Sequence, residues 1–297
     1  MISEIIQKTM LLVTHTSSMK ATCKINLTKC ITAFSCLLFS TGFFHHANAE
    51  EITFVVQPVM QPQKTQASYQ PLVDYLRKET GLKIKLVTEK NFLTYWLKMK
   101  KGKYDLILDA AHFTDYRAKK LSYSVLAKIP DTVTFSLITH KDNLVLEANE
   151  LVAKRLTTLP PPSMGASSLL RLFNNPTRQP IISSAKSAQH AIESVQTGKS
   201  FAAFVPTPML QNQTDINVIT TTKPLPHMGF SASSKLNSQQ QALIKKALLA
   251  AKQTPGGKKV LQHLKIAEFS DSNNEAYHGY EAYLDGMTRS RTRLSRR

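Results

Sequence analysis

The sequence predicts an α/β protein built from two units, and three observations carry that prediction. Short apolar runs alternate with segments whose apolar residues recur at helical spacing. That alternation occurs twice along the chain, and each time it favours parallel strands joined by right-handed helical crossovers. The chain of 297 residues is also long enough for two compact units of roughly 100–200 residues each.

In the first unit, three strands alternate with two helices. The strands are predicted at residues 52–57, 83–88 and 104–108. A polar loop at residues 58–66 precedes the first helix, which buries Tyr69, Val73 and Leu76 and ends at Gly81. The second helix is capped by Asn91 and buries Phe92, Trp96 and Met99.

A strand at residues 132–140 leads into the second unit. Helices are predicted at residues 167–173 and 187–198, the second of them capped by Ser187. The strands of this part of the chain are predicted at residues 156–159, 180–183, 201–205, 218–221 and 229–233. Three helices follow, beginning near Ser238, Pro255 and Glu275. If they pack on the first sheet, the second unit lies inside the first.

Composition sets the broad class. Hydrophobic residues make up 42% and charged residues 20%, so the chain can bury a core. The formal net charge is +18, but the lysines are scattered, which argues against nucleic acid as a partner. The arginines of residues 286–297 indicate a disordered basic tail that touches anionic lipid.

The first 49 residues have the pattern of a cleavable signal peptide. Lys20, Lys24 and Lys29 form a basic region, a short apolar stretch follows, and Ala47-Asn48-Ala49 provides a cleavage site before Glu50. Met19 is then a candidate for the true start. The alternative to a cleaved signal peptide is an N-terminal membrane anchor that stays on the protein. Export to the periplasm is a second argument against nucleic acid binding.

No catalytic signature is present. The chain lacks a Gly-x-Ser-x-Gly elbow, a Walker loop, a Gly-x-Gly-x-x-Gly loop and a His-Glu-x-x-His motif. The three cysteines lie within residues 23–36, and the histidines of the remaining chain lack metal-ligand spacing. We therefore expect no enzyme, no metal and no cofactor.

Polar residues instead collect where strands end and helices begin, the usual ligand position in open α/β sheets. Helix N-termini favour anions, and hydroxyl groups there add donors. Ordinary helix capping is the alternative explanation for each serine. The candidate ligand-binding residues are Gln57, Thr65, Tyr69, Asp109, His112, Ser163, Ser167, Ser168 and Lys186.

The order and spacing of several motifs resemble the periplasmic phosphate/phosphonate-binding proteins of ABC importers. The motifs are residues 69–76 with Gly81, residues 102–107, Pro162-Ser163 with Ala166, and residues 188–198 before residues 201–205. The resemblance runs from about Glu51 to Phe269. It implies ligand contacts at residues 65–69, at Asp109 and His112, and at Ser163, Ser167 and Ser168.

The resemblance also implies the type II periplasmic-binding-protein fold, in which two lobes, each a mostly parallel sheet with flanking helices, are joined by two crossing strands. Lobe 1 is expected at residues 50–136 and 226–285, and lobe 2 at residues 137–225. A monomer that binds a small oxyanion and delivers it to a permease in the inner membrane is the implied function. A zwitterion whose amine pairs with Asp109 is an alternative ligand, and a ligand-sensing module for a membrane signalling protein is an alternative role.

Overall fold

The computed structural model describes residues 51–285, and the predicted signal peptide and basic tail lie outside this range. The helices are α1 Pro62–Thr80, α2 Phe92–Lys100, α3 Ala111–Lys120, α4 Met164–Leu172, α5 Ala188–Gln196, α6 Ser238–Ala250 and α7 Pro255–Leu264. The strands are β1 Ile52–Val56, β2 Ile84–Val87, β3 Leu106–Asp109, β4 Tyr123–Lys128, β5 Thr132–Val133, β6 Phe135–His140, β7 Arg155–Thr158, β8 Ile181–Ser184, β9 Ala202–Pro206, β10 Ile216–Thr221, β11 Leu225–Pro226, β12 Gly229–Ser233 and β13 Ser270–Asp271.

The first lobe is built on a six-stranded sheet in the order β13-β4-β12-β3-β1-β2. Strand β1 pairs in parallel with β2 and β3, and the antiparallel strands β12, β4 and β13 extend the sheet. Because side chains alternate along a strand, Phe54 and Val56 pack with α1, α6 and α7 on one face, while Val55 packs with α2 and α3 on the other.

The second lobe is built on a five-stranded sheet in the order β10-β6-β9-β7-β8. Strand β7 pairs in parallel with β8 and β9, whereas β6 pairs antiparallel with β9 and β10. Both sheets are therefore mixed, and their parallel strands lie together on one side of each sheet, β3, β1 and β2 in the first and β9, β7 and β8 in the second. Helix α4 packs on one face and α5 on the other.

Two short strands cross between the lobes. Strand β5 pairs antiparallel with β11, so that Val133 lies opposite Leu225 and Thr132 opposite Pro226. These are the two connections that a type II fold requires. The predicted strand at residues 132–140 is thus two strands, and β6, which begins at Phe135, already belongs to the second sheet.

Several local signals have the predicted effect. Gly81 ends α1 in the left-handed conformation, with a φ of 70°. The Asn91 side chain accepts from the Thr94 N–H at 2.9 Å, and the Ser187 hydroxyl accepts from the His190 N–H at 3.1 Å. These caps fix where α1 ends and where α2 and α5 begin.

Other predictions were wrong. Helix α1 begins at Pro62, inside the predicted polar loop, because proline is well suited to the first helical turn. Helix α3 and strand β4 were not predicted, and α4 begins at Met164 rather than Ser167. The tyrosine-rich end of the described chain is not one helix. It forms two 3-10 turns, Asn274–Tyr277 and Tyr280–Leu284, separated by Gly279 at a φ of 89°.

We call residues 274–284 the strap. Asn274 binds strand β4, where its side-chain oxygen accepts from the Val125 N–H at 2.9 Å. Glu281 binds α3 through Lys119 at 3.1 Å, and its backbone N–H donates to Asp115 at 2.8 Å. Tyr283 lies under the guanidinium of Arg171 in α4, with 3.9 Å between the guanidinium carbon and the ring centre. The strap therefore contacts both lobes.

Within residues 51–285, no helix is both long enough and apolar enough to cross a membrane.

Candidate functional site

The loops that follow β3 and β7 meet between the lobes. His112, in the first turn of α3, places its Nε2 atom 2.8 Å from the carbonyl oxygen of Pro162, just before α4. A second bridge joins Gln61, before α1, to the carbonyl oxygen of Lys186, before α5, at 3.2 Å. The four loops predicted to form the site therefore face one another.

The β1–α1 part of the first wall uses most of its polar atoms internally. The Gln57 side-chain oxygen accepts from the Ala110 N–H at 3.2 Å, and its amide nitrogen lies 3.3 Å from the sulfur of Met228. Thr65 donates to the carbonyl of Gln61 at 3.2 Å. Tyr69 packs into the first-lobe core, and burial raises its pKa to about 12. These residues shape the wall between β1 and α1.

Asp109 ends β3 in a fully buried ion pair with Arg117 of α3. Both guanidinium NH₂ groups donate to its carboxylate, one of them at 2.8 Å. Tyr95 and Thr114 donate to the same carboxylate, Thr114 at 3.0 Å. Burial is the largest single influence on the pKa of Arg117 and lowers it, but the charge and hydrogen bond of Asp109, together with Tyr95 and Tyr123, raise it more, so that the net shift is upward.

This arrangement bears on the predicted role of Asp109. A carboxylate that already accepts from Arg117, Tyr95 and Thr114, and that has no solvent-exposed surface, is not placed to receive a ligand amine. The geometry assigns Asp109 to the internal support of the β3–α3 loop. The zwitterion alternative therefore has no support from this residue.

His112 is completely buried between the lobes. Burial lowers its pKa to about 4, although the contacts with Pro162 and the nearby charge of Asp109 act in the opposite direction. The ring is therefore neutral near pH 7. Its Nδ1 atom is buried and has no hydrogen-bond partner among the residues described.

The second wall is the N-terminal turn of α4. The Ser163 hydroxyl accepts from the Ala166 N–H at 3.2 Å and donates to the carbonyl of Leu159 at 3.1 Å. Ser167 donates to the carbonyl of Ser163 at 3.1 Å. Ser163 thus makes the capping contact that was the alternative explanation, whereas Ser167, inside the helix, bonds to the carbonyl four residues earlier. The buried hydroxyl of Ser168 has no partner within residues 51–285.

Lys186 lies at the edge of the site. Its side chain is exposed, and its backbone N–H donates to Nδ1 of His190 at 3.4 Å. It precedes Ser187, the cap of α5, so the positive charge stands beside a helix N-terminus.

Sequence reasoning missed Tyr95, Arg117 and the Pro162 carbonyl. Arg117 lies four residues after the buried Phe113, on the inward side of a helix that was not predicted. An arginine at i+4 from a core aromatic residue is a signal that could have found it. The Pro162 carbonyl is a backbone group, and side-chain patterns do not reveal it. Residues 51–285 contain no group of three or more potential metal ligands.

Solved structures with this fold include several solute-binding proteins. The methylphosphonate complex of PhnD1 from Prochlorococcus marinus is 13% identical, with a TM-score of 0.71 over 81% of this chain and 99% of that one. The binding protein of a Pseudomonas aeruginosa phosphonate ABC transporter is 14% identical, with a TM-score of 0.67 over 76% and 82%. An ATP-bound protein from Xanthomonas citri, XAC2383, is 11% identical, with a TM-score of 0.66 over 81% and 98%. At these identities the likeness shows the fold.

No curated protein matches this sequence. The model of a protein family does match, over residues 54–277, and its description is the periplasmic substrate-binding protein of a phosphonate ABC transporter. That match covers more than half of the chain and favours solute delivery over the signalling alternative. The protein therefore has the two-lobed type II fold, acts in the periplasm and binds a solute without transforming it. The chain belongs to the family of periplasmic substrate-binding proteins of phosphonate ABC transporters.

Proposed function

We propose that the cleft between the lobes binds a small oxyanion such as phosphate, a phosphonate or a related compound. The observation that carries the proposal is the meeting of the β3–α3 and β7–α4 loops at the 2.8 Å contact between His112 and Pro162. An anion held there lies at the N-terminus of α4, where the first-turn N–H groups have no partner within the helix. The phosphonate-transport description of the matched family supports this ligand class.

Each wall has a distinct part in the proposed site. Ser168 donates its unpartnered hydroxyl to the anion. Ser163 and Ser167 hold the first turn of α4 in the geometry that presents its N–H groups. Lys186 adds a positive charge at the edge, and His112 offers Nδ1 from the opposite wall.

The remaining residues close and support the site. Gln57, Thr65 and Tyr69 line the β1–α1 wall, and Asp109 fixes the β3–α3 loop through Arg117. In this proposal their contribution is to shape the cleft, since their polar groups are largely committed to contacts inside the first lobe.

The test is calorimetric titration of the exported protein with phosphate and methylphosphonate. A Ser163→Ala, Ser167→Ala double substitution should weaken binding by at least about tenfold, because it loosens the first turn of α4, and each hydrogen bond that an N–H group of this turn makes to a charged ligand contributes about 1.5–3 kcal/mol. Ser168→Ala should weaken it without changing a cap.

Asn237→Ala is the matched control. Asn237 caps α6 by the same kind of bond, accepting from the Gln240 N–H at 2.9 Å, but it lies far along the chain from the cleft loops. It should lower stability and leave affinity unchanged. Unchanged affinity in both serine variants, the double substitution and Ser168→Ala, would remove α4 from the site.

We further propose a permease in the inner membrane as the partner and a monomer as the free form, without nucleic acid binding. Membership of an ABC transporter family supports the permease. Light scattering coupled to size-exclusion chromatography tests the monomer, and a dimer at micromolar concentration would contradict it.

The predicted signal peptide should direct export and be cleaved after Ala49. At the other end of the chain, residues 286–297 should form a basic tail. Intact-mass analysis of periplasmic protein should then show Glu50 as the first residue. A retained N-terminal segment would contradict cleavage. The lobe boundaries after Ser136 and before Pro226 stay predictions that limited proteolysis can test.

A further inference from the structure

Two buried polar atoms, in the two segments that meet at the contact between His112 and Pro162, lack a hydrogen-bond partner among residues 51–285. They are Nδ1 of His112 and the hydroxyl oxygen of Ser168. Roughly 90% or more of buried polar groups in native proteins are paired, so each unpaired atom requires an explanation. Both residues lie near the N-terminus of a helix that follows the carboxyl end of a strand, the usual ligand position in open α/β sheets.

The contact with Pro162 fixes the tautomer of His112. The Pro162 carbonyl can only accept a hydrogen bond, so the proton of the neutral ring lies on Nε2, 2.8 Å away. The ring is neutral at ordinary pH, because burial lowers its pKa to about 4. Nδ1 is therefore a bare acceptor that needs a donor.

The neighbouring groups do not supply that donor. The Asp109 carboxylate is an acceptor and is occupied by Arg117, Tyr95 and Thr114. The Nε–H of Arg117 is a donor, but it does not reach Nδ1, since it is itself unpartnered within the same range of residues. The ring of Phe113, with its centre 3.9 Å from that of His112, offers no polar hydrogen.

We propose that the cleft selects a tetrahedral anion that carries its own hydrogen-bond donor, and that Nδ1 of His112 accepts from it. This inference rests on the proposed function and names the ligand class more narrowly. On a phosphate or phosphonate monoanion the donor is the acidic P–OH group. Sulfates and sulfonates have the same shape but carry no such proton. An ammonium group of a zwitterion is the other possible source.

The expected preference for phosphonates over sulfonates follows from the cost of closing the lobes while Nδ1 of His112 has no donor. A buried acceptor left without its partner weakens binding by a factor between about 5 and 150. Ser168 does not discriminate, because a hydroxyl donates equally well to phosphonate and sulfonate oxygens. The selectivity should therefore depend on His112.

The experiment compares methylphosphonate with methanesulfonate, at a mildly acidic pH above the His112 pKa and below the second ionisation of methylphosphonate. Both anions then carry one negative charge and one methyl group, and only methylphosphonate has the acidic proton. Wild-type protein should bind methylphosphonate about 5 to 150 times more tightly. Taurine, a sulfonate with an ammonium group, separates the two donor sources: it should bind like methanesulfonate if P–OH is the donor.

Two substitutions separate the two ring nitrogens. His112→Gln keeps a nitrogen donor near the Nε2 position and removes Nδ1, so the preference for methylphosphonate should fall to within about twofold. His112→Asn keeps an acceptor near the Nδ1 position and removes the bond to Pro162. This variant should bind both anions more weakly and still prefer methylphosphonate to methanesulfonate.

Each outcome decides the inference. Equal wild-type affinity for methylphosphonate and methanesulfonate overturns it, as does an unchanged preference in His112→Gln. Tight binding of taurine relative to methanesulfonate overturns the P–OH donor and assigns the donor role to an ammonium group. Binding of neither methylphosphonate nor phosphate contradicts the proposed function itself. The wild-type comparison stands even if a variant fails to fold, which thermal unfolding will show.

Discussion

At the scale of single residues, the Asp109–Arg117 pair is the costliest feature to disturb. Both side chains are fully buried, and Arg117 also donates to the hydroxyl of Ser231 at 3.0 Å. Removing one partner leaves an uncompensated buried charge, which typically costs 3–5 kcal/mol. Arg117→Met should therefore lower the free energy of unfolding by about that amount, measured by chemical denaturation.

An exposed ion pair provides the control for this prediction. Lys85 and Glu51 lie 3.3 Å apart with more than half of each side chain in solvent, so Lys85→Met should cost less than about 1 kcal/mol. Replacing both buried partners, Asp109→Leu with Arg117→Met, should recover part of the loss. A loss in Arg117→Met no larger than in the control would show that the pair is not buried in solution.

His112 should make stability depend on pH. Its folded pKa of about 4 lies below the value of 6.5 for an ordinary histidine, so the unfolded chain binds more protons between these values. Stability is therefore complete above about pH 6.5 and falls as the pH drops toward 4, by about 3 kcal/mol in all.

Denaturation midpoints measured between pH 4 and pH 6.5 will test whether stability falls as the pH falls. His112→Gln should flatten the slope, but only in part. Burial also lowers the pKa of His227, which contributes a slope of the same sign. Stability that rises as the pH falls through this window would contradict the burial of His112.

At the scale of elements, packing around β12 is tight at Gly229, so that a side chain there would have to displace buried neighbours. A Cβ atom there would lie 3.0 Å from both Thr114 of α3 and Tyr277 of the strap. Gly229→Ala should therefore destabilise the protein by roughly 1–3 kcal/mol, the usual cost of overpacking. Gly256→Ala is the control, since its Cβ would make an ordinary 3.5 Å contact with Tyr75. A control as destabilised as Gly229→Ala would contradict the packing argument.

Elements with strong local signals were predictable from the sequence, and elements set by tertiary contacts were not. Asn91 and Ser187 cap their helices with their own side chains, as the sequence indicates. Helix α3 begins after Ala110, which makes no side-chain cap, and its inward face carries His112 and Arg117 rather than an apolar stripe. Its helical form depends on polar contacts with Asp109 and Pro162, which a single sequence does not reveal.

The candidate site shows the same division. Residue type and position made His112 and Ser168 candidates for the site, because polar residues after strand ends mark the usual ligand side of such a sheet. The sequence does not show that each of these residues has an unpaired buried atom, or that Asp109 is held in an ion pair. Both features depend on which other segment of the chain each residue contacts. Ile182 makes the point for the core: an apolar residue in the strand predicted at residues 180–183 is expected to be buried, but Ile182 lies on the edge strand β8 and is 44% exposed.

At the scale of the whole molecule, the lobes are joined by two short strands and also contact each other directly. The bridges of His112 to Pro162 and of Gln61 to Lys186 lie between the cleft loops, and Arg171 meets Tyr283 at the strap. Two strands crossing side by side allow rotation about the β5–β11 pair. Opening the cleft must break the cleft bridges, so a ligand that contacts both walls should favour the closed form.

The strap should bias this equilibrium without contacting the ligand. Tyr283 is held against the first lobe by its neighbours, because Leu284 packs in the aromatic core of that lobe and Glu281 binds Lys119. Its ring meets Arg171 of the second lobe, and such a cation–π contact is worth about 0.5–1 kcal/mol at exposed sites. Tyr283→Ala should therefore weaken ligand binding by about two- to fivefold, whereas Tyr283→Phe, which keeps the ring, should not.

Small-angle scattering measures the same equilibrium directly. The radius of gyration should fall when phosphate or methylphosphonate saturates the wild-type protein. Tyr283→Ala should start from a larger ligand-free value and reach the same ligand-bound value, because the contact changes the population of closed molecules rather than the closed form. Identical radii of gyration with and without saturating ligand would contradict hinge closure. Equal radii of Tyr283→Ala and Tyr283→Phe in the ligand-free state would show that the strap does not influence closure.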